Sequence, residues 1–147
     1  MQANSKVEAL RKIPQEANLR EILMNLLERM GLDPVLTHGS VEHGKDIVCT
    51  EEDSVLKCPE WVAVVVKLGR VTGSTSGHGS LQTVINQVQE AFIHPFHDLK
   101  QGRKVPINKV WVVTNDVILE TAREKITEKL IALGTIARTF ILSMESN

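Results

Sequence analysis

Trp61-Val62-Ala63-Val64-Val65-Val66-Lys67-Leu68-Gly69 is the stretch that decides the fold. It is apolar at consecutive positions, not at alternate ones. A strand covered on both faces has this pattern, whereas a half-exposed strand alternates. The β-branched valines favour extended chain. A strand buried on both sides needs partners above and below it, and helical patterns flank it in sequence.

Upstream, Ala17 to Met30 carries Leu19, Ile22, Leu23, Leu26, Leu27 and Met30 at the helical period, with Pro14 near its start and Gly31 as a stop. Pro34 to His38 and Asp46 to Thr50 read as short strands, and Glu51-Glu52-Asp53-Ser54 as a polar turn. Downstream, Gly73 to Ser80 reads as a flexible loop, with Ser80 placed to cap the next helix. That helix runs to about Phe92 on Leu81, Val84, Ile85, Val88 and Phe92. His94 to Pro106 reads as a loop with two prolines, Lys109 to Thr114 as a fourth strand, Leu119 to about Leu133 as a third helix, and Arg138 to Leu142 as a last strand. The order predicts an α/β fold, a mixed β-sheet flanked by helices on both sides.

The chain of 147 residues is long enough for one domain with a sizeable core. The expectation is a single domain over residues 1–147, excised from something longer, since the chain ends just after its last apolar run. Hydrophobic content of 42% and charged content of 24% are ordinary for a globular protein. A net charge of −1 excludes a globally basic nucleic-acid binder, so any such surface must be local. Aromatic content of 3% with no Tyr argues against base-stacking platforms. No apolar run reaches the roughly 18 residues of a membrane span. Met1 to Lys6 lacks the apolar core of a signal peptide, and two cysteines make no disulfide framework. A cytoplasmic location is the expectation.

The second informative segment is Glu42-His43-Gly44-Lys45-Asp46-Ile47-Val48. Asp46 and Lys67 each interrupt an apolar strand with one charge. Buried, such charges are costly unless they meet each other, a metal or a substrate. By alternation Lys67 shares a face with Trp61, Ala63 and Val65, and Asp46 shares one with Val48. If the two strands are neighbours, Asp46 and Lys67 converge at one edge of the sheet. A carboxylate there can hold Mg²⁺, which polarises a phosphate oxygen and acidifies bound water. A nearby ammonium can stabilise charge developing on the phosphate. The pattern therefore points to metal-assisted phosphodiester chemistry. The plainer alternative is that Asp46 opens a strand at a Gly-Lys turn and Lys67 snorkels from a strand end.

Five pieces in order resemble the PD-(D/E)xK nuclease superfamily, in particular its Mrr-like restriction endonuclease branch. They are the Leu-rich helix ending in Met30-Gly31, Gly44-Lys45-Asp46-Ile47, Val64-Val65-Val66-Lys67, the helix containing Asn86-Gln87-Val88-Gln89, and Val110 to Asn115 followed by Thr121 to Ile126. The resemblance spans roughly Leu19 to Ile126. It implies a restriction-endonuclease-like fold and Mg²⁺- or Mn²⁺-dependent hydrolysis of DNA. Asp46 would be the metal-binding aspartate, Lys67 the catalytic lysine and Gln87 the helix glutamine that shapes the site. The chain departs from the pattern at Val65, where the family has Glu or Gln. The Val66 carbonyl is the replacement ligand expected, with Glu42 or Glu21 as further carboxylate candidates. The resemblance also implies a nuclease effector, homo-oligomeric or fused to sensor or ATPase domains, as in restriction or anti-phage defence. The alternative from another class is a catalytically degenerate module of the same fold, for nucleic-acid binding or assembly.

Lys45 and Arg70, the latter in Gly69-Arg70-Val71-Thr72-Gly73, form an expected basic edge toward a DNA backbone. The reading of Arg70 as a solvated loop residue stands beside it. His43 reads as a turn residue, and His94 and His97 as loop residues, since no third ligand stands at metal spacing. Cys49 reads as core and Cys58 as a loop thiol. No Gly-Lys-Ser/Thr phosphate cradle is present.

Overall fold

The computed structural model describes residues 8–9, 12–13, 15–37, 45–52, 55, 57–69, 81–116, 118–134 and 139–144. Helix α1 (Glu16–Arg29) is followed by strands β1 (Val35–Leu36), β2 (Ile47–Glu52) and β3 (Pro59–Lys67). Helix α2 (Leu81–Ile93), strands β4 (Phe96–Asp98), β5 (Arg103–Val105) and β6 (Lys109–Thr114), helix α3 (Glu120–Leu133) and β7 (Thr139–Ser143) complete the order.

The main sheet has the order β1-β2-β3-β6-β7. Its first half is an antiparallel meander of β1, β2 and β3. Its second half is parallel, β3 to β6 to β7. Parallel neighbours cannot be joined by a tight turn. Helices α2 and α3 lie in the two connections that join them.

The nine-residue β3 sits in the middle, and its last six residues are all buried. Val62, Val64 and Val66 pack with Leu19, Leu23 and Leu27 of α1, and with Ile47 and Cys49. Ala63 and Val65 pack on the opposite face with Val84, Ile85 and Val88 of α2, and with Ala122, Ile126 and Leu130 of α3. The unbroken apolar run thus serves two cores at once, and the mixed sheet between helices is as expected. Each fully buried Leu or Val contributes roughly 1.5–3 kcal/mol. Truncating Leu23 to Ala would cost about 2–5 kcal/mol, because a cavity adds to the lost transfer energy.

Three segments differ from expectation. Glu51 and Glu52 continue β2 instead of forming a turn, because β3 pairs with them out to Pro59. The segment expected as a loop after His94 carries the β4–β5 hairpin, whose buried Phe96 tilts against Trp61 with centroids 5.9 Å apart. The loop expected at Gly73 to Ser80 lies outside the described residues. Gly31 does end α1, with φ +77°. Among the described residues no helix is long and apolar enough to cross a membrane.

Candidate functional site

Asp46 stands just before β2, and alternation alone does not orient it. Ile47 pairs with Val64, yet the Asp46 N–H also donates to the Val64 carbonyl at 3.0 Å. Two residues thus oppose one, the arrangement of a β-bulge, which re-aims a side chain at the end of a ladder. Thr37 holds this backbone from the far side. Its hydroxyl donates to the Lys45 carbonyl, and its N–H donates to the Asp46 carbonyl at 3.1 Å.

The re-aimed carboxylate turns back onto β3. Asp46 Oδ2 accepts the Val66 N–H at 2.8 Å, in place of the ladder bond that β2 no longer supplies. In an antiparallel ladder a residue's N–H and C=O point to the same neighbour. The Val66 carbonyl is therefore directed to the side where Asp46 sits, beyond the last β2 pair. Asp46 Oδ1 lies 3.7 Å from Nη1 of Arg20 on α1.

Lys67 ends β3 opposite Thr114 of β6 and is buried. The chain leaves it through Gly69, whose φ of +88° favours glycine. Asn115 Oδ1 accepts the Gly69 N–H at 2.7 Å, and the Thr114 hydroxyl donates to the Gly69 carbonyl. Thr114 and Asn115 are themselves buried, so the end of the lysine strand is clamped.

The electrostatics join a fourth residue. Burial pushes the Asp46 carboxyl above its ordinary value, opposed by the Val66 N–H and the Arg20 guanidinium, reinforced by the Glu16 carboxylate, and opposed again by Lys67. Burial pulls the Lys67 ammonium below its ordinary value, against the attraction of Glu16 and Asp46. Glu16, in the first turn of α1, is thus in electrostatic range of both. Opposite charges in easy contact would shift each other toward the charged forms. Here both shift toward the neutral forms, because desolvation exceeds attraction.

Among the residues expected at a site, Asp46, Val66 and Lys67 are brought together. Gln87 lies on α2, and its Oε1 is buried with no hydrogen-bond partner among the described residues. Glu42, Arg70 and His43 lie outside the described residues. Glu21 is exposed on α1, as is Glu16 five residues earlier, whose charge is the one that acts on Asp46 and Lys67. Lys45 is a correction. Expected on a basic edge, it is 1% exposed, at a point where the Thr37 hydroxyl donates to its backbone carbonyl. Val65, 0% exposed, belongs to the core beneath α2. Glu16, Arg20, Thr37 and Asn115 were missed. An acid and an arginine four apart at a helix start are common surface residues, and nothing in their local sequence marks them.

Hard oxygen donors suit Mg²⁺, which takes one or two carboxylates and keeps several waters. Asp46 Oδ1 and the Val66 carbonyl are donors of that kind, whereas Glu16, exposed on α1, acts on Asp46 through its field alone. Among the described residues no group of three His, Cys, Asp or Glu forms a fuller cage.

No family model matches the chain, and no curated protein does. Among solved structures, it is similar to the MspJI restriction endonuclease in complex with a 27-mer oligonucleotide. That likeness has 14% sequence identity and a TM-score of 0.48, and it covers 96% of this chain and 29% of the other.

Proposed function

We propose that this domain is a metal-dependent endonuclease that hydrolyses DNA phosphodiester bonds at the end of β2 and β3. One observation carries the reading. Asp46 and Lys67 are desolvated together with both shifts running against their charges, a cost that a bound cation and phosphate would offset. Asp46 and the Val66 carbonyl would hold Mg²⁺ or Mn²⁺. When bound, the metal would polarise the phosphate and acidify its water. Lys67 would stabilise charge developing on the phosphate oxygens, held in line by the Gly69 clamp. Glu16 would supply, through its field, the negative charge missing at Val65. Gln87 would orient water or Lys67 through its buried Oε1. Duplex cleavage needs a site per strand, so the active form would pair copies of the chain. The biological setting would be a restriction or anti-phage effector joined to sensor or ATPase domains.

A second reading has its own observation. Val65 is a core residue, as a degenerate binding or assembly module would have it. Plasmid digestion separates the two. Under the nuclease reading, the wild type cuts with Mg²⁺ or Mn²⁺ and not with chelator. Asp46→Asn and Lys67→Met each lower the rate at least about a hundredfold, and Glu16→Gln lowers it about tenfold. Wild-type protein that binds DNA but never cuts it, alone or on a dimeric scaffold, selects the module.

A further inference from the structure

Asp46 has two oxygens, and both are engaged. Oδ2 accepts the Val66 N–H at 2.8 Å, a backbone bond that fixes the carboxylate plane. Oδ1, the oxygen left to face a ligand, is approached by Arg20 Nη1 at 3.7 Å. At that distance the contact is an ion pair and not a hydrogen bond, so it restrains without locking. The two side chains differ in freedom. Asp46 is held by a bulge and a backbone bond, with 14% of its side chain exposed, whereas Arg20 extends from a helix surface with 30% exposed. If something must move, it is Arg20.

Charge counting gives the reason to move. Among the described residues the charges that act on Asp46 and Lys67 come from one further carboxylate, Glu16, and one further cation, Arg20. With all four ionised these described charges balance. A divalent cation added beside Asp46 would leave them two charges in excess in a partly desolvated place. Lys67 is the buried end of a clamped strand and cannot leave. Arg20 can rotate outward into water at little cost, since partly exposed ion pairs contribute only about 0.2–1 kcal/mol.

We infer that Arg20 is a resident counter-ion of Asp46 that competes with the metal for Oδ1 and swings away when the metal binds. This rests on the metal-site reading above. Arg20 is then a positioning residue. It keeps Asp46 paired in the metal-free protein and lowers the affinity for the free ion.

Two measurements on the whole chain test this. Calorimetric titration with Mn²⁺ should give about three- to tenfold tighter binding for Arg20→Gln than for wild type, with Arg20→Lys close to wild type. Removing any nearby cation favours a metal electrostatically, so affinity alone does not isolate the switch. The second readout is the Arg20 side-chain Nε–H signal in nitrogen-15 NMR, assigned by its absence in Arg20→Gln. Saturating Mg²⁺ should shift it to the position of a solvated guanidinium. If wild type and Arg20→Gln bind Mn²⁺ equally, or the Arg20 signal stays fixed at saturation, the switch is overturned while the metal site stands. If neither protein binds Mn²⁺, and Arg20→Gln/Asp46→Asn is no different, the metal reading fails and the switch with it.

Discussion

Two charge clusters sit at opposite ends of the paired strands β2 and β3. At the far end, Lys109 Nζ lies 2.7 Å from Glu51 Oε1 and 2.9 Å from Glu60 Oε2. The Glu51 contact is a hydrogen bond, and the Glu60 contact is an ion pair without hydrogen-bond alignment. Close contact with both carboxylates, Glu51 foremost, raises the Lys109 ammonium well above its ordinary range. The lysine is more firmly charged there than in water. At the near end, Asp46 is pushed up and Lys67 down, so both are less firmly charged than in water. The far cluster lets charges satisfy one another. The near cluster holds them apart from full satisfaction, at a cost to stability, and perturbed groups of that kind gather where chemistry is done.

This contrast makes opposite predictions for the two ends. The largest effect is on activity. Lys67→Met should abolish cleavage by a factor of at least about a hundred, while Lys109→Met should leave the rate per folded molecule unchanged in the plasmid assay. Loss of cleavage in a folded Lys109→Met protein would break the assignment of the site to the near end.

Stability should move the other way. Lys109→Met leaves Glu51 and Glu60 facing each other across the strands and should lower unfolding free energy by about 1 kcal/mol in urea. Lys67→Met removes a charge that burial disfavours and should raise it in the same urea titration. A Lys67→Met protein less stable than wild type would mean that the ammonium is well satisfied, contrary to the shift on Lys67.

The smallest effect is a pH dependence. An acid whose folded pKa is raised binds its proton more tightly folded than unfolded. The contribution of Asp46 is thus fully present below its ordinary value of 3.8 and is lost as pH rises through the raised folded value. Asn at this position has no such titration and can still accept the Val66 N–H. The stability advantage of Asp46→Asn over wild type should therefore grow as pH rises from about 4 and then level off. Metal-free denaturation curves across acid and neutral pH would show it, and a difference independent of pH would contradict the burial of Asp46.

The sheet and its two covers were legible in the sequence because they depend on periodicity. Consecutive valines in β3 and leucines three and four apart in α1 are local patterns, and solvent exclusion acts on them directly. Asp46 and Lys67 could be singled out too, since two lone charges in apolar strands demand an explanation. The β4–β5 hairpin could not, because its short, polar strands form only where Phe96 finds Trp61.

Local pattern specified a central strand buried on both faces, a mixed sheet between helices, and the two charges that interrupt it. Long-range contacts set how Asp46 is aimed, through a bulge pinned by Thr37, and brought the charge of Glu16 to bear on it. They also enclosed Lys45, which looked like surface. The physical reason is distance along the chain. Burial and period are properties of neighbouring residues, whereas the field at Asp46 is the sum of groups brought from 20 or more positions away, at Glu16, Arg20, Val66 and Lys67, and no local pattern encodes that sum.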